Sequence, residues 1–197
     1  MYAYEVLKMV HQPHEVNETA ARSGAAHTGG NMVTSDSGNE NTFQFRDTLI
    51  RLHNGIYILS VDDDGERNAM PVSWVSQVSF DPPIVMVAVH PSRYTHHMLE
   101  SAGSFAINLL RRDQAELVPR FKLKGEDRPK KFEGLKIAAG VTGAPLLEDA
   151  AGYIECEIVK VYDPGDHTLF FGRVVDARLN DPDAAVLSVD QYGKSYG

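Results

Sequence analysis

The alternation of apolar and polar residues between positions 56 and 89 predicts short β-strands joined by tight turns. Ile56 to Val61 is an apolar run, and the turn sequence Asp62-Asp63-Asp64-Gly65 follows it. From Asn68 to Gln77, small polar and apolar residues alternate, as in a strand with one face against a core. Asp81-Pro82-Pro83 then forms a turn, because its two prolines lack backbone donors and favour extended geometry. A continuous apolar strand, Ile84 to Val89, comes next.

The rest of the chain adds more strands and only short helices. Phe45, Leu49 and Leu52 recur at helical spacing, and Asp113 is a suitable N-cap for a helix that reaches about Phe121. Many strands with few helices are typical of a closed or split β-barrel, so we expect a mostly β fold. The other predicted elements are a helix at Tyr94–Ser101, strands at Ser104–Leu110, Tyr153–Tyr162 and His167–Arg178, and a loop-rich segment at 122–143.

The first 42 residues differ from the remainder in composition. After the opening ten residues, large apolar side chains are scarce, and Gly, Ser, Thr, Asn, Ala and His dominate. Such a segment buries too little apolar surface to offset its ordering entropy. We therefore expect a flexible N-terminal tail at 1–42 and one folded domain at 43–197.

Composition narrows the class of protein. With 197 residues, of which 43% are hydrophobic, the chain is long enough for one core. The net charge of −8 argues against a nucleic-acid partner, because phosphate neutralisation needs clustered Lys and Arg. Cys156 is the single cysteine, which excludes an intramolecular disulfide and fits a reducing compartment. Since no apolar run has membrane-spanning length, we expect a cytoplasmic protein without a membrane partner.

A cluster of polar side chains follows the apolar strand that ends at Val89. The segment 90–97, His-Pro-Ser-Arg-Tyr-Thr-His-His, brings a guanidinium, hydroxyls and imidazoles to the start of a predicted helix. Charge-assisted donors beside a helix N-terminus are suited to a phosphate group, although a solvated turn with a helix cap is the alternative. The histidines His90, His96 and His97 lack a spaced carboxylate or thiol partner, so we expect no metal site.

Three separated motifs resemble one known family. They are the strand and Asp-Pro-Pro turn at 68–84, Ser92-Arg93-Tyr94-Thr95 followed by the strand at 105–110, and Gly-Asp-His with its following strand at 165–174. In this order they are similar to the flavin reductase-like family of FMN-binding split β-barrel proteins, which includes flavoredoxins and ferric reductases. The resemblance covers residues 45–197. Where many members carry Gly-x-Thr-Ala-Ser-Ser-Phe, this chain has Ala69 to Val75, and its Pro71 and Trp74 resemble the flavoredoxin-like branch.

The resemblance implies an oxidoreductase with bound FMN. Electrons would pass from NAD(P)H through FMN to a flavin, a ferric chelate or a redox protein, and the chain would form a homodimer. One alternative is a flavoredoxin-type electron carrier that a partner protein reduces, without NAD(P)H activity of its own. Another is a split barrel that has lost flavin and binds a ligand such as haem or pyridoxal phosphate.

The same resemblance assigns residues to the two ends of FMN. Ser92, Arg93 and Thr95, with His96, are expected to bind the phosphate. The backbone of Met70, Pro71, Val72 and Ser73 is expected to hydrogen-bond the polar edge of the isoalloxazine ring, and Asn68 is a candidate side-chain partner.

Four further residues are assigned to the surroundings of the ring. Trp74 is expected to line the isoalloxazine, the alternative being core or interface packing. Lys130 or Lys131 is expected to neutralise the reduced ring, the alternative being a solvated basic loop. His167 is the candidate catalytic residue, because a group that titrates near neutrality can hold a charge beside a reduced flavin. The alternative for His167 is a turn residue.

Overall fold

The computed structural model describes Phe45 and residues 48–193. The tail expected at 1–42 lies outside the described residues, so the tail and the boundary at residue 43 stay predictions. The strands are β1 (Tyr57–Asp63), β2 (Glu66–Val72), β3 (Val75–Phe80), β4 (Pro83–Val89), β5 (Ser104–Leu109), β6 (Ile137–Ala139), β7 (Pro145–Leu147), β8 (Gly152–Tyr162) and β9 (Thr168–Leu179). The helices are α1 (Tyr94–Ala102), α2 (Leu117–Arg120) and α3 (Val189–Tyr192), with 3₁₀ helices at Arg112–Gln114 and Gly125–Phe132.

The prediction of a mostly β fold is confirmed. Seven antiparallel strands form one sheet in the order β2-β1-β5-β8-β9-β4-β3, and β6 pairs with β7 in a small second sheet. The predicted strands after residue 103 and the helix at 94–101 agree with β5, β8, β9 and α1 to within two residues. Of the residues predicted to be helical from their spacing, Phe45 and Leu49 are helical, whereas Leu52 lies in a bend.

The connection between β2 and β3 gives the sheet its shape. These strands are the two edges of the seven-stranded sheet, yet only Ser73 and Trp74 separate them along the chain. Three Cα-to-Cα steps of about 3.8 Å reach at most about 11 Å, so the two edges must lie close together. The sheet therefore curls into a barrel that is joined covalently at this seam, which is a split barrel.

Two sequence predictions are wrong in detail. The strand predicted from Asn68 to Gln77 is divided, because the chain crosses from one edge of the sheet to the other at Ser73-Trp74. The Trp74 carbonyl accepts a hydrogen bond from the Ala88 N–H (3.0 Å), which holds the crossing on β4. The helix predicted from Asp113 is also interrupted, since Pro119 has no N–H for the carbonyl four residues earlier.

The core lies on both sides of β1. Leu59 and Val61 point into the barrel, where Phe105 and Phe170 are also fully buried. Ile58 points outward into a second buried cluster, which the segments after β5 and β9 cover. Burial on both faces explains why Ile58, Leu59 and Val61 of β1 are all apolar rather than alternating with polar residues.

Helix α1 closes one end of the barrel and follows β4 after a four-residue turn. It packs mainly against β1 and ends at Gly103, which adopts the left-handed conformation (φ 67°). Within the described part of the chain, no helix is both long and apolar enough to span a bilayer.

Substitution of Gly172 in β9 tests how tightly the barrel interior is packed. A Cβ at this position would lie 2.5 Å from the Cys156 Cβ and 2.7 Å from the Phe105 ring. Gly172→Ala should therefore lower the free energy of unfolding by about 1–3 kcal/mol in urea titrations, as overpacking does. Gly165→Ala is the matched control, because a Cβ at Gly165 would meet nothing within 4 Å. Equal stability of the two variants would contradict the packing described.

Candidate functional site

A cleft of about 480 Å³ opens at the seam of the barrel, where the β2–β3 connection passes the end of β4. This volume lies within the range of small-ligand sites. Residues from β2, the β2–β3 connection, β4, the turn before α1, the segment after α2 and the residue before β9 line it. They are Met70, Pro71, Val72, Ser73, Trp74, Ala88, Val89, His90, Ser92, Arg93, Lys122 and His167.

The edge of β2 forms one wall of the cleft. One side of this strand pairs with β1, with Pro71 opposite Ile58 and Val72 opposite Tyr57. An edge strand has backbone N–H and C=O groups on its other side that no neighbouring strand satisfies. A ligand with donors and acceptors along one edge can therefore bind β2 as an additional strand would.

Aromatic and imidazole rings form the opposite wall. The rings of Trp74 and His167 are 4.7 Å apart, and the His90 ring is 5.2 Å from that of His167. Trp74 remains about half exposed, at 52%. The Asp166 carboxylate lies 2.8 Å from His167 Nδ1, and this hydrogen bond lowers the pKa of Asp166. A flat apolar ligand would therefore have a ring surface on which to pack.

The turn between β4 and α1 supplies positive charge. His90 Nδ1 accepts a hydrogen bond from the Ser92 N–H (3.1 Å) and lies 2.8 Å from Ser92 Oγ. Arg93 is the N-cap of α1, and within the described residues its guanidinium makes no hydrogen bond or ion pair. An unpaired guanidinium beside the first N–H groups of a helix favours an anion.

A buried polar cluster joins three elements beside the cleft. Lys131 Nζ donates to Asn68 Oδ1 (2.8 Å) and to the Ala69 carbonyl (2.7 Å), and Asn68 Nδ2 donates to Thr95 Oγ1 (2.9 Å). Burial lowers the pKa of Lys131 to about 8, and the nearby charge of Arg128 adds to this effect. The cluster ties the 3₁₀ helix Gly125–Phe132 and α1 to β2.

Comparison with known proteins decides the family. The model of the flavin reductase like domain matches residues 49–194. The chain belongs to the flavin reductase-like family.

Three relatives illustrate the range of proteins that this flavin reductase-like chain resembles. An NADH:riboflavin 5′-phosphate oxidoreductase of Streptomyces pristinaespiralis is 34% identical over 70% of this chain and 78% of its own length. The solved structure of an NADH:FAD oxidoreductase of Streptomyces globisporus is 25% identical, with a TM-score of 0.70, over 81% of this chain and 92% of its own. Diflavin flavoprotein A 1 of Synechocystis sp. is 28% identical over 90% of this chain, which spans 32% of that relative's length.

The structure brings most of the expected site residues of this flavin reductase-like chain to one cleft. Residues 70–74 form its edge and aromatic wall, and Ser92, Arg93 and His167 border it. The residues expected to bind the phosphate do not all lie in the cleft. Thr95 and His96 are buried, and they bond to Asn68 and Thr168 instead. Asn68 and Lys131 lie in the polar cluster, whereas Lys130 is exposed and pairs with Asp127 (2.6 Å).

Two of the cleft residues with nitrogen-bearing side chains, Lys122 and His90, were not among the predicted cofactor-binding residues. Lys122 lies in a loop-rich segment with several other lysines, and nothing in the local pattern distinguishes it from them. His90 belongs to the polar segment 90–97 that was considered for phosphate binding and was also weighed as a metal ligand, but it was not named among the cofactor-binding residues. Both add nitrogen donors to the cleft.

The lowered pKa of Lys131 should make the free energy of unfolding depend on pH. The unfolded chain holds this proton up to the ordinary lysine pKa of 10.5, whereas the folded chain releases it at about 8. Between these values the unfolded state binds more protons, so raising the pH favours the folded state, by on the order of 3 kcal/mol in total. The free energy of unfolding of the parent protein minus that of Lys131→Met should therefore increase from pH 7.5 to 10.5.

The neighbouring lysine provides the control for this measurement. Lys130 is exposed, and Asp127 raises its pKa, so Lys130→Met should not reproduce that increase. A difference between the parent protein and Lys131→Met that stays constant from pH 7.5 to 10.5 would contradict a buried ammonium at this position.

Proposed function

We propose that this chain binds FMN in the seam cleft and acts as an oxidoreductase. Electrons would pass from NAD(P)H to a flavin, a ferric chelate or a redox protein. The observation that carries this proposal is the guanidinium of Arg93, which has no partner among residues 48–193 and lies at one end of a cleft whose other walls are a strand edge and the Trp74 ring. FMN has a matching anionic end, polar edge and flat ring. When bound, it would supply the hydride and electron transfer chemistry.

The cationic end of the cleft suits the FMN phosphate. Arg93 can donate two parallel hydrogen bonds to phosphate oxygens, and the Ser92 hydroxyl lies next to it in the chain. The N–H groups of Tyr94 and Thr95 begin α1 and have no acceptor within the helix, whereas the His96 N–H donates to the Arg93 carbonyl (2.9 Å). The helix dipole favours an anion at this position. Lys122 lines the same cleft and adds to the positive charge.

The strand edge and the buried cluster suit the ring of FMN. The backbone of residues 70–73 can bond to the polar edge of the ring, while Trp74 excludes water from the apolar part. Lys131 bonds to the carbonyl of Ala69, next to Met70 in the chain. With a pKa of about 8, its ammonium is largely protonated at neutral pH and favours additional electron density on a nearby ring.

His167 is proposed as the residue that handles protons and positions the electron donor. Its ring borders the cleft, and the hydrogen bond with Asp166 holds a proton at Nδ1. Nε2 is then the nitrogen that can accept a proton or a hydrogen bond from a bound partner.

Donor, acceptor and assembly are proposed from the relatives and from exposed surface. The names of two relatives specify NADH, which supports a nicotinamide donor. Phe45, Leu49, Leu52 and Phe80 are each more than half exposed, and apolar side chains of this size support a homodimer. We further propose a cytoplasmic location, in agreement with the free thiol of Cys156.

An electron carrier is the second candidate function. Trp74 and His167 pack against each other over the cleft, where a nicotinamide would need to lie against the ring. The match to a diflavin flavoprotein of about three times this length also supports electron exchange with another flavin domain. Anaerobic mixing of the FMN-loaded protein with NADH and with NADPH distinguishes the candidates. The reductase bleaches the flavin absorption with one of these donors, and the carrier does so with neither.

Arg93→Ala tests the phosphate end. The loss of charge-assisted hydrogen bonds should weaken FMN binding by about 1.5–3 kcal/mol, which is roughly ten- to hundredfold in Kd. Binding of riboflavin, which lacks the phosphate, should change little. Titration of FMN and riboflavin into both proteins, followed by flavin fluorescence, measures the two effects. Arg112→Ala is the control, because Arg112 is exposed and does not line the cleft. Equal losses for both ligands would remove Arg93 from the phosphate site.

His167→Ala tests the proposed catalytic residue. FMN should remain bound, because the phosphate and strand-edge contacts are intact. Reduction by the nicotinamide donor should slow by about tenfold or more, as measured in anaerobic stopped-flow absorbance. An unchanged rate would indicate that His167 is a turn residue.

A further inference from the structure

We propose that His96, His97 and Glu100 on helix α1 form a binding site for a divalent first-row transition metal ion such as Zn²⁺. The site is separate from the proposed flavin phosphate contacts, which come from the turn before α1. Two nitrogens and one carboxylate oxygen form a donor set that suits Zn²⁺, Cu²⁺, Ni²⁺ or Co²⁺ better than Mg²⁺ or Ca²⁺.

The distances between the ligand atoms fit one shared ion. Glu100 Oε2 lies 3.4 Å from His96 Nδ1 and 3.8 Å from His97 Nδ1. All three ligand atoms lie within 4.8 Å of one another. Two ligands at about 2.0–2.2 Å from a tetrahedral zinc ion are separated by roughly 3.3–3.6 Å, so small side-chain rotations complete the geometry.

An unsatisfied buried nitrogen points to an occupant. His96 is 6% exposed, and its Nδ1 has no hydrogen-bond partner, since the approach to Glu100 is not aligned for one. Nε2 lies 2.8 Å from the Thr168 hydroxyl. When Nε2–H donates to this hydroxyl, Nδ1 carries a lone pair only 3.4 Å from a carboxylate oxygen, which is unfavourable without a cation near both. Metal-binding histidines commonly donate their second nitrogen to a neighbour in this way.

A proton on His96 Nδ1 is the competing occupant, because it would create an ion pair with Glu100. A proton between these two groups does not require a third ligand atom, yet His97 Nδ1 approaches the same carboxylate oxygen. His97 and Glu100 are exposed, which leaves room for water as a fourth ligand. The earlier expectation of no metal site rested on a missing carboxylate, and Glu100, one helical turn after His96, supplies it.

Zinc titration of the full chain tests this proposal. Isothermal titration with ZnCl₂ in a non-coordinating buffer compares the parent protein with Glu100→Gln, His97→Gln and the control His53→Gln. The parent and the control should each bind one Zn²⁺ at this site. Glu100→Gln and His97→Gln should bind that ion at least about tenfold more weakly. Glu100 and His97 are exposed, so circular dichroism should confirm that these variants fold. His11, His14 and His27 lie outside the described residues, and therefore the comparison is between variants rather than by total stoichiometry.

Thermal unfolding gives a second readout that does not depend on flavin or on activity. Zn²⁺ should raise the Tm of the parent protein and of His53→Gln by more than it raises that of Glu100→Gln, because an ion that binds the folded state stabilises it. Identical zinc isotherms for all four proteins would overturn the proposal, whether all bind Zn²⁺ or none does. The proposed flavin function would be unaffected by that result.

Discussion

The structure depends on a two-residue connection between the two edges of one sheet. Because Ser73 and Trp74 join β2 to β3, the sheet must curl until its edges approach each other. β2 and β3 are the two ends of the sheet order and do not pair with each other, so backbone groups of β2 remain available at the seam. The cleft, its strand-edge wall and the position of Trp74 all follow from this constraint.

A second constraint holds the surroundings of the cleft in place. Lys131, Asn68 and Thr95 come from three different elements, and each is almost completely buried. A buried ammonium without a carboxylate partner is costly, and the lowered pKa of Lys131 reflects that cost. Two acceptors, Asn68 Oδ1 and the Ala69 carbonyl, offset part of it while fixing the 3₁₀ helix against β2. Burial of the Lys131 ammonium therefore lowers the stability of the fold, at a position beside the cleft where a positive charge is useful to a flavin protein.

Sequence patterns predict those elements of this structure that are determined by neighbouring residues in the chain. Apolar runs and turn residues locate most strands, and the charged turn before α1, which the sequence pattern singled out, brings Ser92 and Arg93 to the cleft. The division at Ser73-Trp74 was not predicted, because alternation reports the faces of a strand and not its partner. Lys122 and the Lys131 cluster depend on how a loop folds back onto β2, and local periodicity carries no information about such contacts. Glu100 was overlooked although helical spacing from His96 was enough to find it.

The central claim is that the seam cleft holds FMN by its phosphate at the turn before α1, and a crystal structure of the chain grown with FMN tests it most directly. The account predicts electron density for the phosphate against Ser92 and Arg93, with the ring between the edge of β2 and the side chains of Trp74 and His167. Density for FMN at any other place, or a seam cleft without flavin at saturating FMN, would contradict it.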